Sequence, residues 1–344
     1  MLKVGAGNAI GNLRVKEAAE WLHRQPSALR GFTQDEVAER GNTFAEYLAA
    51  HGLFLAGSSG VQGEWPKVLL TKADDGLLYL DHTLPDARAR EHYLVKFGRG
   101  KDPDLALILR HEAPYMAIAQ HLGLRVHGPL ELKKRALFIP RFDRVVADGN
   151  VVRLGQESIA TLTDKNGFRV LPTHDEVCEA LLVRCTAPEA EVLEYIKRDV
   201  ANIALRNTNN HARNTAIQRD FAGGVRLTPL FDFAPMYKHP DGIARRIKWT
   251  TDVENMGRPD WGHVVDRVCL LEQQLRVIRN RKGVEIGMRE PIIRRQVLVE
   301  GLRTMGPLME AAAASLPDFG IESSERAFLQ TSMRDQAAQL QRLR

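Results

Sequence analysis

The chain has 344 residues and a net charge of +5, with 44% hydrophobic and 26% charged residues. This length is more than one core usually holds, which predicts two lobes around a cleft. The sequence has no apolar run of about 18 residues and no secretory signal at its start, which excludes a membrane span and argues against export. We therefore expect a soluble protein of the cytoplasm.

Helical and β-like patterns divide the chain into three parts. The first part carries apolar side chains at helical spacing, with a capping box formed by Thr33 and Glu36. The middle part has short β-like runs, one helix and a turn at Asp148-Gly149-Asn150, and the last part is mostly helical. This order indicates the α+β class. The predicted parts are a helical segment at 1–55, a β-rich lobe at 56–150 and a helical lobe at 151–344, with helices at 104–122, 263–280, 287–304 and 322–342.

Three cysteines, Cys178, Cys185 and Cys269, lie in apolar stretches that are predicted to be helical. They do not form the CxxC pair that is typical of a zinc site. We predict buried structural thiols, which fits a reducing compartment.

The first candidate site is the small-residue loop AGSSGVQGEWPK at 56–67, which leads into a predicted strand. Glycines and serines let backbone N–H groups approach a polyphosphate closely, and the lysine at its end adds positive charge. The loop matches neither the Walker pattern nor the kinase GxGxxG, so a plain tight turn is the alternative interpretation.

A lysine and a glutamate in the β-rich lobe form the second candidate. Lys96 lies among apolar residues on the strand YLVKF, where it is either an edge-strand charge or a ligand for nucleotide phosphates. Glu112 in the following helix is placed to pair with it, as a helix glutamate pairs with the strand lysine of kinases.

The most polar stretch is IALRNTNNHARNTAI at 203–217, which lies between apolar runs. Such a loop is costly to order unless its side chains have partners, so we predict a functional site. Asp232 follows in LTPLFDF, close enough in sequence to belong with this loop. A carboxylate and an amide oxygen are the ligands that Mg²⁺ takes when it also holds ATP phosphates.

These motifs resemble those of the HipA-like serine/threonine kinases, the toxins of bacterial toxin–antitoxin pairs. That family shows an SGVQPK-like loop, a strand ending in IVKF, an RFDR segment, a TDxHxKN loop and an LTPxYD segment. Here they appear in the same order as SSGVQGEWPK, YLVKF, PRFDR, TNNHARN and LTPLFD, over roughly residues 57–232. The resemblance implies a bilobal, protein-kinase-like fold that binds ATP and Mg²⁺.

For the β-rich lobe, the resemblance implies a loop that covers the phosphates, a lysine that holds them and an adenine hinge. In that order, the residues are Ser58, Ser59 and Gly60, then Lys96, then Ile139, Arg141 and Phe142. Ser59 also lies in the loop where such kinases phosphorylate themselves and thereby switch themselves off. A simple turn residue is the alternative for Ser59.

For the helical lobe, the resemblance implies that His211 orients the catalytic loop and that Asn214 and Asp232 bind Mg²⁺. Arg213 takes the place of the family's lysine beside the γ-phosphate. Asn209 replaces the catalytic aspartate, and its amide can accept a hydrogen bond but not a proton. Two further departures are the insertion GEW before Pro66 and the lack of any match in residues 1–55 to the first subdomain of longer HipA proteins.

Two function classes follow from these observations. The first is a kinase that transfers the γ-phosphoryl group of ATP to a protein, by family analogy an aminoacyl-tRNA synthetase, with a small helix-turn-helix antitoxin as partner. The second is an ATP-binding pseudokinase regulator that acts with an antitoxin or DNA, which Asn209 favours. The basic isoelectric point and the polar loops suggest a third, weaker class, a plain nucleic-acid-binding protein.

Overall fold

The computed structural model describes residues 2–24, 29–51, 53, 65–165, 167, 170–279 and 285–344. Helices and strands form two compact units, in an α+β arrangement. The first unit comprises Met1–Ala113, His127–Gln156 and Gln218–Phe221, and the second comprises Pro114–Val126, Glu157–Ile217 and Ala222–Arg344. The three-part division at residues 55 and 150 stays a prediction.

Twelve helices and fourteen strands lie within the described ranges. The helices are α1 Leu2–Gly7, α2 Lys16–Arg24, α3 Gln34–Glu39, α4 Asn42–Ala50, α5 Pro103–His121, α6 Ile159–Leu162, α7 His174–Arg184, α8 Pro188–Ala204, α9 Trp261–Arg276, α10 Arg295–Arg303, α11 Met305–Ala314 and α12 Ser323–Gln341. The strands are β1 Lys67–Ala73, β2 Leu78–Leu80, β3 Ala89–Phe97, β4 Glu131–Lys133, β5 Ala136–Pro140, β6 Arg144–Ala147, β7 Asn150–Arg153, β8 Gly155–Ser158, β9 Ala216–Arg219, β10 Val225–Leu227, β11 Glu254–Asn255, β12 Arg258–Pro259, β13 Val277–Arg279 and β14 Glu285–Met288.

An antiparallel sheet with strand order β2-β1-β3-β5-β4 is the centre of the first unit. Successive side chains of a strand point to opposite faces, so one face of each strand can pack on helices. Phe44 and Leu48 of α4 pack with Val95 and Phe97 of β3 in one buried cluster. The opposite face of β3 therefore carries Lys96.

Two local sequence signals have the predicted structure. Thr33 is the N-cap of α3, and its hydroxyl and the Glu36 carboxylate form the reciprocal bonds of a capping box. Asp148 and Gly149 have φ angles of 50° and 72°, and the flanking residues of β6 and β7 pair directly across the turn. Positive φ at both central residues is typical of the tight hairpin turn that the sequence predicted.

The second unit is mostly helical. Pro188 is the first helical residue of α8, where its missing N–H costs nothing. The buried faces of the helices supply fully covered apolar side chains, among them Val177, Leu181, Val192, Ile196, Val264, Val268, Leu302, Met309 and Met333. None of the helices within the described ranges has the length and apolar character needed to cross a bilayer.

The prediction of a helix at 287–304 was wrong over its first half. Residues 287 and 288 belong to β14, which pairs antiparallel with β13, and the sequence did not predict this pairing. Pro291 lacks a backbone N–H and disfavours a helical residue before it, so α10 begins only at Arg295. The helix predicted at 263–280 likewise ends at Arg276, where β-branched residues continue as β13. Helix α11 was not predicted as a separate element.

Cys178 and Cys185 are buried, and Cys269 is half-buried. Burial raises the pKa of Cys178 well above its ordinary value and raises the pKa of Cys185 to about 12. Both thiols therefore stay protonated at neutral pH, as expected for structural cysteines rather than nucleophiles.

Candidate active site

The loop predicted to cover phosphates lies outside the described residues, and Ser58, Ser59 and Gly60 lie there with it. The chain that follows it is described. The Pro66 carbonyl accepts a hydrogen bond from the Phe97 N–H at 2.9 Å, and the next residue begins β1. The end of the loop is therefore fixed to the strand that carries Lys96.

Lys96 and Glu112 form a buried ion pair in the first unit. Lys96 Nζ donates a hydrogen bond to Glu112 Oε2 at 2.6 Å, and the two side chains are only 4% and 2% exposed. A buried ammonium without a counter-charge would be strongly destabilising, so the carboxylate both neutralises and orients it. The structure brings together the two residues that the sequence analysis paired, and the role of Lys96 toward phosphates stays a prediction.

Ile139 is the next-to-last residue of β5 and Arg141 directly follows the strand, in the segment that the sequence predicted as an adenine hinge. The Arg141 guanidinium is buried and donates to Asp143 through Nε and Nη2, at 2.9 and 2.7 Å, and to Asp81 through Nη1 at 3.1 Å. Burial disfavours this charge, but Asp81 and Asp143 outweigh burial and raise the pKa of Arg141. The guanidinium is therefore a structural cation. The Arg141 N–H donates to the His92 carbonyl at 2.8 Å, and the role of this residue toward an adenine stays a prediction.

The neighbouring hinge residue, Phe142, is held by its backbone and its ring. Its carbonyl accepts a hydrogen bond from Gln218 Nε2 at 3.0 Å. Its ring lies edge-on to His127, with 6.2 Å between the ring centroids. Both contacts lie within the first unit and fix the direction of the chain after β5.

The same RFDR segment fastens the N-terminal residues, which the sequence analysis missed. The Gly11 N–H donates to Asp143 Oδ2 at 2.8 Å. Arg144 Nη1 donates to the Gly11 carbonyl at 2.9 Å and to Asp143 Oδ2 at 2.6 Å. The signal for such a network was an aspartate between two arginines in a strand-like run, but nothing in the sequence near Gly11 marked it as the partner.

The asparagine-rich stretch forms a loop after α8 that is closed by its own side chains. The Asn207 amide donates to Asn202 Oδ1 at 2.9 Å, and the Asn209 N–H donates to Asn207 Oδ1 at 3.3 Å. Asn214 Nδ2 donates to the Asn209 carbonyl at 3.1 Å. These bonds fix the backbone of Asn209, and they use the amide nitrogen of Asn214 rather than its oxygen.

Asp232 has a φ of 54°, in the left-handed region that is uncommon for residues other than glycine. Such a backbone costs about 1–3 kcal/mol and persists only where its surroundings hold it. The ring of the next residue, Phe233, is buried 5.7 Å from the Tyr115 ring. The Tyr115 hydroxyl donates to the Leu205 carbonyl at 3.0 Å, so one buried tyrosine contacts the chain at both the aspartate and the asparagine loop.

His211 lies within the asparagine loop and is neutral at pH 7. Burial is the main cause that lowers the pKa of His211. Asp232 opposes this shift, while Arg213 and Arg246 add to it. Its Nδ1 accepts the Arg213 N–H at 3.2 Å, so the ring proton is on Nε2. His211 can therefore order the loop, as the resemblance implied, without adding positive charge.

Asn209, Asn214 and Asp232 line one cavity of the second unit, about 30 Å³ in volume. Nowhere in the ranges that the structure describes do three or more His, Cys, Asp or Glu side chains form a group that could hold a metal ion. One carboxylate and one amide oxygen suit Mg²⁺ when phosphate oxygens and water complete its octahedron. The donor set therefore fits Mg²⁺ bound together with a nucleotide.

This cavity also reaches a buried ion network that the sequence analysis missed. Arg245 Nη2 donates to both Asp199 oxygens at 2.9 and 2.8 Å, and Trp249 Nε1 donates to Asp199 Oδ2 at 2.9 Å. His174 stacks on Trp249 at 4.9 Å, and its Nδ1 lies 2.7 Å from the Tyr195 hydroxyl. Alternating polar and apolar residues in ARRIKW were the available signal, and their partners lie far away in sequence.

Because of this network, we expect the folded chain to lose stability at acidic pH. Burial is the main cause that lowers the pKa of His174, to about 4, whereas histidine in an unfolded chain titrates near pH 6.5. The unfolded state binds more protons between these values, so stability is lost as the pH falls through this window. Urea unfolding should show a loss of about 2 kcal/mol from His174 between about pH 8 and pH 5.

His174→Gln should flatten this part of the stability profile. His263→Gln, at an exposed histidine of the same unit, is the matched control and should keep the slope of the unchanged chain. An unchanged slope in His174→Gln would contradict the assignment of this titration to the buried network.

Comparison with protein families matches residues 59–284 to the HipA-like C-terminal domain, which is more than half of the chain. The chain belongs to this HipA-like family. The matched range includes Lys96, the asparagine loop and Asp232, which are the parts of the site described above. Comparison with curated proteins finds no significant match.

One solved structure agrees with the HipA-like assignment at the level of fold. The chain is similar to HipA of Shewanella oneidensis MR-1, solved with HipB and operator DNA, with a TM-score of 0.62 and 16% identity over 99% of this chain and 78% of that one. The α+β, kinase-like fold class is therefore confirmed. The proinflammatory kinase CtkA of Helicobacter pylori aligns with a TM-score of 0.42 and 13% identity, over 73% of this chain and 87% of that one.

Proposed function

We propose that this HipA-like chain is a toxin kinase that binds ATP with Mg²⁺ and transfers the γ-phosphoryl group to a serine or threonine of a protein. The observation that carries the proposal is the family match over residues 59–284, and one group of side chains in each unit supports it. In the first unit it is the buried Lys96–Glu112 pair. In the second it is the group of Asn209, Asn214 and Asp232 in one cavity.

Each residue has a specific part in this proposal. Lys96, neutralised and oriented by Glu112, holds nucleotide phosphates. The Asn214 amide oxygen and the Asp232 carboxylate hold Mg²⁺, which when bound neutralises charge on the transferred phosphoryl group. The backbone at Ile139 and Phe142 receives the adenine, because the Arg141 side chain is already engaged.

Asn209 determines how fast such a site can work. Its amide oxygen can accept a hydrogen bond from the attacking hydroxyl and so orient it. It cannot take the proton of that hydroxyl, which the family's aspartate does. We therefore propose that this chain binds ATP normally and transfers phosphate slowly.

The proposal extends to regulation and partners. Phosphorylation of Ser59 adds about −1.5 to −2 charges near the nucleotide's own phosphates and so disfavours ATP binding. By analogy the substrate is an aminoacyl-tRNA synthetase and the setting is the cytoplasm. HipA of Shewanella oneidensis was solved with HipB and operator DNA, which supports a small helix-turn-helix antitoxin as partner, with DNA contact only through that antitoxin.

The test is phosphate incorporation from γ-labelled ATP into the chain and into host lysate proteins. It compares the chain as given with Asn209→Asp. Mass spectrometry then locates the label, which we expect on Ser59 of the Asn209→Asp form. Phosphate on neither Ser58 nor Ser59 would remove the autoregulatory part of the proposal.

Asn209 also favours a second candidate function, that of a pseudokinase regulator. Such a protein binds ATP to stabilise one conformation and acts with an antitoxin or DNA without chemistry. This alternative predicts that the chain as given and the Asn209→Asp variant both bind the nucleotide but transfer no phosphate. The same assay therefore separates the two candidate functions.

A further inference from the structure

Residues 245–249 lie beside the asparagine loop and are held there by Asn210. Asn210 Nδ2 donates to the Ile247 carbonyl at 3.0 Å, and its Oδ1 accepts the Arg246 N–H at 2.9 Å. The Lys248 carbonyl accepts the His174 N–H at 3.0 Å. The backbone of this segment is therefore fixed at both ends, directly next to the residue that follows Asn209.

Side chains in this segment alternate between buried and exposed. Arg245, Ile247 and Trp249 are 12%, 3% and 3% exposed, whereas Arg246 and Lys248 are open to solvent. Alternation of this kind is typical of an extended chain, in which residues two apart point to the same side about 7 Å from each other. The two exposed cations therefore form one edge of a fixed backbone.

The charges on this edge are available to a partner. Arg245 forms ion pairs with Asp199 and Glu254, but in the part of the chain that the structure describes Arg246 and Lys248 form none. The nearby Glu254 is engaged by Arg245, and the exposed Asp241 has a carboxylate oxygen 3.8 Å from His239 Nδ1.

The edge is also close to the catalytic loop. The Arg246 N–H donates to Asn210 Oδ1, and Asn210 directly follows Asn209 in the loop. A substrate whose hydroxyl reaches Asn209 therefore passes within reach of Arg246.

We propose that Arg246 and Lys248 bind acidic side chains beside the acceptor hydroxyl, so that the protein substrate presents its serine or threonine in an acidic, extended segment. Residues two apart in such a peptide repeat at the same spacing as the two cations. Nucleic acid is the less fitting occupant, because its affinity for a protein grows with the number of phosphates neutralised and two cations neutralise few. That the bound segment contains the serine or threonine that is phosphorylated rests on the proposed kinase function. The binding of an acidic peptide does not depend on it.

The test measures binding of labelled peptides to the full chain by fluorescence anisotropy, with and without Mg·ATP. One peptide has glutamates at alternate positions around a serine, one has glutamines there, and one has lysines. We expect the glutamate peptide to bind about tenfold more tightly than the glutamine peptide.

The Arg246→Glu, Lys248→Glu double variant should lose this preference and bind the lysine peptide more tightly than the unchanged chain does. That gain separates a specific charge reversal from misfolding. Arg303→Glu, at an exposed arginine that ends α10, is the matched control and should keep the preference for the glutamate peptide.

Retention of the acidic preference in the double variant would overturn the proposal. Equal competition by an oligouridine of the same net charge, lost in the same variant, would also overturn it and indicate a general polyanion surface. If the acidic preference holds while calorimetry detects no Mg·ATP binding, the surface stands and the kinase function fails.

Discussion

Replacing Asn209 by aspartate is expected to raise phosphate transfer by about 10²- to 10⁴-fold, which is the usual contribution of a general base. The backbone of Asn209 is fixed by the Asn214 amide at its carbonyl and by Asn207 at its N–H, so aspartate can take the same position. The substitution changes the charge of the side chain and its ability to accept a proton, but not the shape of the side chain. Affinity for Mg·ATP should therefore change only slightly.

The measurement is the initial rate of label incorporation from γ-labelled ATP, in cis and into lysate proteins. Asn202→Asp is the matched control, because Asn202 lines the same cavity and the substitution adds the same carboxylate away from the catalytic position. It should bring no gain in rate. If Asn209→Asp binds Mg·ATP and is as silent as the unchanged chain, the kinase proposal fails and the pseudokinase regulator becomes the better account.

Breaking the Lys96–Glu112 pair is expected to cost about 3–5 kcal/mol of unfolding free energy. Lys96→Met leaves the Glu112 carboxylate buried without its counter-charge, which is the destabilising state. The double variant Lys96→Met, Glu112→Leu removes both charges and should recover most of the loss, because an apolar pair can replace a buried ion pair. Urea unfolding of the two variants measures both effects.

Lys72 and Glu91 provide the matched control within the same sheet. They form a cross-strand ion pair at 3.0 Å, but their side chains are 40% and 50% exposed. An exposed pair of this kind contributes about 0–1 kcal/mol, so Lys72→Met should have little effect. A loss for Lys96→Met no larger than for Lys72→Met would show that the buried pair does not stabilise the first unit.

The parts of the fold that short-range patterns encode could be predicted from the sequence. The capping box at Thr33 and the turn at Asp148 depend on residues within four positions of each other, and both formed as expected. The helix prediction was wrong at 287–294, although the spacing of apolar residues there is helical. Pro291 disfavours a helical residue before it, and residues 287 and 288 pair with β13. Local spacing alone does not show which strand a segment will pair with.

The candidate site could be predicted only in part, for a related reason. Its charged residues could be found in the sequence because they lie in apolar or unusually polar runs, and the family resemblance implied their roles. The residues that hold the site together come from distant parts of the chain: Asp199 and Arg245 are 46 positions apart, and Gly11 and Asp143 are 132 apart. No periodicity connects such positions, so only the folded structure shows them.

The central proposal is that the chain binds Mg·ATP and that Lys96 and Asp232 each contribute to its affinity. Calorimetric titration of Mg·ATP into the unchanged chain, Lys96→Ala, Asp232→Ala and Arg303→Ala tests it most directly, with thermal melting to verify that each variant is folded. The account predicts that the unchanged chain and Arg303→Ala bind alike, and that each of the other two variants binds at least about tenfold more weakly, as expected when a charged contact to phosphate or cation is lost. Unchanged affinity in both folded variants, or no binding to the unchanged chain, would contradict it.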